Sequence, residues 1–598
     1  MSNTKKLISF VGLTIAMFMG TLDSTIINIA LPSIMDQFHA SLNDTSWVTT
    51  IYTLALAVFM ITGSKLADRY GRKKLMLIGL VLFGGFSAAC MFAPSLLALI
   101  VFRFFQGIGG AIITPIVLPM GIEIFGKENT SKISSVVGAI TALAAAGGPP
   151  IGGVILQYGS WRGVFGINLP LSILALLIVV FFIQESYDNT LSGKIDWFGM
   201  LALSVSLGGI VFGLLEGRQL GWHSVIIVTS LVIGVLALLV FYLIEKRVAE
   251  PLIELDLIKE KTFTASSLVY FVTGFSLVCP MLIINYFLQD LLNYSALHAA
   301  LIIIPVSLTV VVAMPLGTKI FDAMGAKWVT GIGLLLIAGS LGLLSLIKMN
   351  TPTIIIVVFL IINGFGFGFS SVSLVASVQY LPKEKTGIGS GIVNSMRQIG
   401  TCLGMALLVT VLNNNVLNAK NEIRSDAVQT IQTHRLAPQV QNVAEKEVKR
   451  LFKTNSKGKN IKTKTSGLQK KIKRVAQQTN NLPEPAKKSS LGIIYQKQKM
   501  MTDGTRTLNT GLTKLVKDSN NPLLTATGGL VKGQQKMLTG IKLLAQKNEI
   551  RTTLRDIKKQ KNKKLTAAFS KTYLLAAIIV LLCSPIALLT DYQKKKVA

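Results

Sequence analysis

Asp23 is the residue whose placement first demands a chemical explanation. It lies in "GTLDSTIINIALP", Gly20 to Pro32, inside an apolar run that begins at Leu7, with Thr21, Ser24, Thr25 and Asn28 close by. A carboxylate at hydrocarbon depth costs roughly 2.5–3.5 kcal/mol on insertion scales, so it persists only where it faces protein or water. Protonated, such a group is neutral; ionised, it attracts a cation. Proton and cationic solute would then compete for one carboxylate, the minimum that antiport requires. The alternative is structural, a helix cap or a hydrogen bond within a bundle. Two cations lie at similar depth: Arg103 in "RFFQGIGGA" and Arg397, which shares a polar face with Asn394 and Gln398. Glu216 in "LLEGRQLGW" closes an apolar run and reads as interfacial, while Glu123 and Asp290 fall near the ends of apolar runs, where solvated positions are expected.

These groups need elements that cross a membrane. The 598 residues are 51% hydrophobic, and the mean hydropathy is +0.57. Runs of about 20 apolar residues, the length that spans a bilayer core, recur from one near Leu7 to one near Thr572. The reading is fourteen spans. The first is expected to remain in the chain, being long, without a small-residue cleavage site, and followed directly by another span. Lys5 and Lys6 precede span 1, and "KLADRYGRKK", "EKR", "KEK", "PKEK" and the tail "QKKK" follow even-numbered spans. Lys and Arg gather on the cytoplasmic side, so a multi-pass protein of the cell membrane with both termini in the cytoplasm is expected. The four cysteines lie within apolar runs without metal-ligand spacing and read as packing residues.

Short motifs mark where helices must turn or touch. "GSKLADRYGRKKL" supplies Gly63 and Gly71 for a tight turn, with Asp68 able to cap the neighbouring helix and pair with Arg72 or Lys73, beside Arg69. The same Gly, Asp, Gly and Lys spacing returns without the arginines in "GTKIFDAMGAK", Gly317 to Lys327. Two copies at corresponding places in two halves point to an internally repeated transporter, with a weaker inner gate in the second half. In "GGPPIGG", Gly148, Pro149, Gly152 and Gly153 bend the fifth helix and strip it of side chains where it packs against a neighbour from the other half.

The chain resembles the major facilitator superfamily, specifically its fourteen-helix drug:proton antiporter branch. The markers are "LDSTIINIALP", "RFFQGIGGA", "GGPPIGG", "WRGVFGINLP", "DWFG" and "GSGIVNSMRQIG", in order, over Lys5 to about Val416 and again the last span. The resemblance implies an all-α integral membrane fold, two six-helix bundles with two linker helices between them. It implies that Arg103 lies near Asp23 and that the fifth-helix motif belongs to exporters, sealing the outer side. It implies a substrate cavity, for which Asn28, Gln106, Glu216, Asn285, Gln289, Asn363, Phe367, Asn394 and Arg397 are candidate lining residues. The expected domains are 1–190, the first bundle; 191–250, the linker helices; 251–413, five helices of the second bundle; 414–569, an extracellular insert; and 570–598, the last span and tail.

The insert is the departure. From Asn414 to Lys564 there are 33 Lys/Arg and 9 Asp/Glu, so it carries +24 of the formal +32. "KTNSKGKNIKTKTSG" reads as a mobile segment. Beyond it, Gly504/Gly511 and Leu508/Leu515 repeat at seven residues, as do Gly533/Gly540 and Leu530/Met537/Leu544, with Pro522 between. The expectation is a hairpin of two amphipathic helices whose glycines permit close contact. Its charge favours anionic lipids or cell-wall polymers at the surface, or the insert is a solvated spacer. Nucleic acid is not expected, because no aromatic residues interleave the lysines.

The leading expectation is proton-coupled efflux of amphipathic, cationic drugs or toxic compounds by alternating access, with small molecules, protons and the bilayer as partners and no cofactor beyond the proton gradient. The alternative is export or flipping of an endogenous anionic metabolite or lipid; a third class is a surface receptor anchored by an inactive transporter, which would need neither Asp23 nor Arg103. An enzyme is not expected, and neither is a metal site: the insert's histidine, His434, has no cysteine or clustered carboxylates nearby.

Overall fold

The computed structural model describes residues 2–126, 129–187, 196–217, 219–248, 251–252, 255–378, 386–451, 471–472, 475, 482–515 and 522–591. They are helical, with no β-strand among them. The expected mobile segment, the Lys-rich loop "PKEK" and the basic tail lie outside the described residues.

The chain divides into two compact units. The first comprises Met1–Val416, Asn455–Ile461 and Ala568–Ala598. It opens with α1 (Asn3–Phe38), α2 (Leu42–Tyr70), α3 (Arg72–Met91), α4 (Leu96–Phe125) and α5 (Thr130–Tyr158), then the short α6 (Arg162–Gly166) and α7 (Asn168–Phe182). A pair follows, α8 (Trp197–Glu216) and α9 (Val225–Glu245). The second half runs through α10 (Leu255–Lys259), α11 (Lys261–Ser276), α12 (Ile284–Tyr286) between two π-helical turns, α13 (Ala296–Met324), α14 (Ala326–Leu344), α15 (Thr353–Ser370) and α16 (Ser373–Val378). Thirteen described helices are long and apolar enough to cross a membrane. The fifth expected span, α5, is a 29-residue helix that is not among those thirteen.

Local chemistry sets the ends and the contacts. At the start of α2, Ser41 Oγ accepts from the Asp44 N–H at 3.0 Å while Asp44 Oδ2 accepts from the Ser41 N–H at 3.2 Å, a reciprocal cap. Small residues on α4 then let its neighbours close in. A methyl group on Gly107 would lie 2.8 Å from the Tyr52 carbonyl of α2, and one on Gly109 would lie 2.7 Å from the Phe83 nitrogen of α3. This is how helices gain contact in lipid, where burial of apolar surface gives them no separate drive to associate.

The second unit comprises Leu417–Thr454 and Lys462–Ala567. It contains the end of α17 (Thr386–Thr433), α18 (Pro438–Leu451), α19 (Ser490–Leu515) and most of α20 (Pro522–Cys583). Inside it Ile423, Ile431, Val440, Val448, Ile550 and Ile557 are buried together with Ala427 and Ala444. Lys564 Nζ donates to Glu422 Oε2 at 2.6 Å, and the Ala437 N–H donates to Gln546 Oε1 at 3.2 Å.

Two expectations for the insert are corrected. His434 does have carboxylates beside it: Glu549 Oε2 lies 3.0 Å from Nδ1 and Asp556 Oδ2 lies 3.4 Å from Nε2. They come from α20, more than a hundred residues along the chain, so no local spacing could announce them. The glycines of α19 and α20 do not hold the hairpin together either. A methyl group on Gly504, Gly511, Gly533 or Gly540 would meet nothing within 4 Å, because the helices touch through other faces, as where Thr527 Oγ1 donates to Asn509 Oδ1 at 2.6 Å.

Candidate functional site: a buried carboxylate and its partners

Asp23 is fully buried, as is Arg103. Arg103 Nη1 donates to Asp23 Oδ2 at 2.5 Å and to Gln106 Oε1 at 2.8 Å, while Nε donates to the Val48 carbonyl at 3.1 Å. The other carboxylate oxygen, Oδ1, accepts from Gln106 Nε2 at 3.1 Å and from Asn168 Nδ2 at 2.8 Å. Both amides also donate to Ser87 Oγ, at 3.2 and 3.0 Å. Beneath the guanidinium lies the Tyr52 ring, its centroid 4.0 Å from Cζ. Five helices therefore converge on one carboxylate: α1, α2, α3, α4 and α7.

The spacing of Arg103 and Gln106, three residues apart on α4, places both on the face that meets α1. Asn168 was not singled out in the sequence as a partner of Asp23, although it stands within "WRGVFGINLP". The visible signal was an amide one residue before a Leu-Pro step in an otherwise apolar run. Of the two structural alternatives for Asp23, the cap within its own helix is not seen, while the hydrogen bond within a bundle is: its partners are all on other helices.

The fifth-helix motif splits its contacts. A methyl group on Gly148 would collide with Thr25, and one on Gly152 would lie 2.8 Å from Ile26 Cγ1; both residues belong to α1, in the same half. Only Gly153 faces the second half, where its methyl group would lie 2.8 Å from Leu297 Cα and 3.0 Å from Ala300 Cβ of α13. The reason is helical periodicity: positions four apart share a face, and the next residue is turned by about 100°. Pro149 and Pro150 lie inside α5, as the sequence indicates.

The two halves also meet through side chains placed in the candidate cavity. Asn285 Nδ2 donates to the Asn28 carbonyl at 2.7 Å, and Gln289 Nε2 donates to the Ile29 carbonyl at 3.1 Å and to Asn285 Oδ1 at 2.8 Å. Asn285, Gln289, Asn363 and Phe367 are buried. Asn363 Nδ2 donates to Ser340 Oγ within its own half. Glu216 Oε1 accepts from Trp47 Nε1 at 2.8 Å, tying α8 to α2. Asn394 and Arg397 lie on α17, with the Arg397 guanidinium 5.7 Å from the Tyr270 ring centroid. Asp290 is buried, not solvated as its place near a span end implied, because it sits in the π-helical turn Phe287–Leu291 packed inside the unit.

At the expected inner gate, Gly63 lies against α4, where its methyl group would stand 3.1 Å from the Ala111 carbonyl. Arg72 pairs with Asp68 at 2.8 Å and with Glu123 at 3.2 Å, and Arg69 lies over the Tyr70 ring at 5.3 Å. The start of α3 is capped by Glu185, whose Oε1 and Oε2 accept from the Lys73 and Lys74 N–H groups at 2.8 and 3.1 Å, a carboxylate where the helix dipole favours one. Gly71 has φ +109° and packs against that same carboxylate. The second copy repeats the device: Gly325 has φ +90° and packs against the carboxylate of Asp591. Each half thus closes its glycine turn with an acid from just beyond its own last helix.

A sequence profile of the Major Facilitator Superfamily matches residues 13–196 and 197–405. The multidrug resistance protein Stp of Mycobacterium tuberculosis (strain CDC 1551 / Oshkosh) is 30% identical over 416 residues, 69% of this chain and 76% of that one. Multidrug resistance protein 3 of Bacillus subtilis (strain 168) is 31% identical over 415 residues, 69% of this chain and 80% of that one. The tetracenomycin C resistance and export protein of Streptomyces glaucescens is 29% identical over 409 residues. With both halves matched and a repeated turn in each, the chain belongs to the major facilitator superfamily.

Proposed function

We propose that this protein is a proton-coupled exporter that drives amphipathic, cationic compounds across the cell membrane by alternating access, with both termini in the cytoplasm and the insert outside. The observation that carries the reading is the fully buried Asp23, held by Arg103, Gln106 and Asn168. A buried carboxylate whose partners come from two other helices, α4 and α7, changes partners when those helices move, so proton uptake and helix rearrangement are coupled through one group. Export is supported by relatives named for multidrug resistance and for export. A second reading, export of a compound carrying an anionic group, is favoured by Arg397, whose Nε is buried without a hydrogen-bond partner.

The test is transport by the purified protein in proteoliposomes under an imposed pH gradient, with ethidium as cationic substrate and a fluorescent anionic lipid as the competitor class. Gradient-driven ethidium movement with counter-flow of protons supports the leading reading. Movement of the anionic lipid alone would replace it with the second, and ethidium movement indifferent to the gradient would remove the proton.

A further inference from the structure

We propose that the paired helices α19 and α20 of the insert are a docking surface for an acidic amphipathic helix of another protein. On α19, Ile494, Met501, Leu508 and Leu515 follow one another at intervals of seven, and all are exposed, by 52 to 83%. On α20, Leu523, Leu530, Met537 and Leu544 keep the same interval and are exposed by 54 to 62%. A seven-residue apolar repeat held over four positions is the seam of a helix that winds against another helix. The sequence reading placed that seam inside the hairpin. The structure places it outside, since the two rows are exposed and α19 and α20 are instead bonded where Thr527 Oγ1 donates to Asn509 Oδ1.

Between the two rows runs an apolar groove of about 490 Å³, lined by Met501, Leu508, Ala526 and Leu530. Beside the rows, Gly504/Gly511 and Gly533/Gly540 repeat at the same interval and face open space. Each exposed helical glycine costs roughly 1 kcal/mol against alanine, and nothing within the hairpin uses the room they leave. A third helix lying in the groove would use it, because small residues in register with a seam allow close approach.

Charge selects the occupant. The described part of α19 carries Lys497, Lys499, Arg506 and Lys514 against one acid, Asp503, and α20 carries Lys532, Lys536, Lys542 and Lys547 against Glu549 up to Ile550. A second copy of this chain would bring like charge onto like charge. An anionic bilayer would suit the lysines, but it requires neither a seven-residue register nor the glycines. A helix with apolar residues in the same repeat and Asp or Glu on its flanks satisfies all three observations, in the manner of a helix laid in a groove.

The test uses the full-length protein in detergent and a labelled peptide of four heptads, with leucine at the two core positions and glutamate at the flanking ones, read by fluorescence anisotropy and helicity. The expected result is saturable binding that gains peptide helix and weakens at high salt. Leu508→Glu with Leu530→Glu should lower affinity at least tenfold without changing the protein's own helical content. Should that variant fold poorly, Lys532→Gln with Lys536→Gln leaves the seam intact and should weaken binding and flatten its salt dependence. Equal binding of a lysine-flanked peptide, or of an acidic peptide with serine in the core, would overturn the proposal. So would no binding of the acidic peptide. Dimers that dissolve in the leucine variant would identify a second copy as the occupant, and binding only to anionic vesicles would identify the bilayer; either result replaces the acidic helix.

Discussion

At the scale of residues, the buried pair is what matters most, and its removal has two separable consequences. Taking one partner from a buried ion pair costs about 3–5 kcal/mol, chiefly because the other charge is left uncompensated. Asp23→Asn should therefore abolish gradient-driven transport and also lower thermal stability, since Arg103 loses its counter-charge and keeps the Val48 carbonyl, Gln106 and the Tyr52 and Phe165 rings, all of them neutral. Asp23→Asn combined with Arg103→Gln should recover most of the lost stability while transport stays absent. Unfolding temperature and ethidium transport, measured on the two single variants and the double, separate these effects. Equal stability in all four proteins would show that the pair is not energetically coupled. Asp23 and Arg103 were legible in the sequence because charge in an apolar run needs an explanation. Asn168 and Ser87 were not, since an amide or hydroxyl there can be satisfied in many ways, and only the fold brings them to the same carboxylate.

At the scale of elements, glycine positions were legible but their partners were not. The pattern "GGPPIGG" announces close packing, while which helix each glycine meets depends on how α5 is rotated, and that is settled by α1 and α13 together. Gly153→Leu should hold the halves apart, because its side chain would press on the backbone at Leu297; overpacking of this kind costs roughly 1–3 kcal/mol. The expected outcome is transport slowed at least tenfold in a folded protein, with a cysteine at Asn285 becoming reactive to a water-soluble thiol reagent. Full transport would mean that α5 and α13 separate without cost. In the insert, Glu484 Oε1 accepts from Lys499 Nζ at 3.0 Å and from the Tyr495 hydroxyl at 3.1 Å. The Lys499 bond chiefly holds the Glu484 carboxyl below its usual range. A lowered folded value gives stabilisation that is present above the unfolded value, about 4.3, and fades as pH falls through the folded one. Helicity of the insert should thus decline slightly as the solution is acidified below about pH 4, and Glu484→Gln should remove that part of the pH dependence. An unchanged acid profile in the variant would show that the contact is idle.

At the scale of the whole molecule, the transporter part was legible because membrane spans are written in composition, whereas the insert's core was not. His434 meets Glu549 and Asp556, and Glu422 meets Lys564, across more than a hundred residues of chain, pairings that no window of sequence displays. The profile match stops at residue 405, before the insert begins, and the compact second unit has its own buried residues. The proposed export and the proposed docking fall in different parts of one chain, and a deletion can test that division. Removing 453–547 with a short flexible join keeps the base of the insert, including Glu422–Lys564 and His434–Glu549. Loop closure changes by only about 0.6 kcal/mol per doubling of length, so the flanking spans should still insert. Gradient-driven ethidium transport should persist within a few-fold, because Asp23, Arg103 and the α5 contacts are all retained. Binding of the acidic heptad peptide should vanish, since both apolar rows are removed. Transport lost in a correctly inserted deletion variant would show instead that the insert takes part in moving substrate, and the second unit would have to be read as part of the transport path.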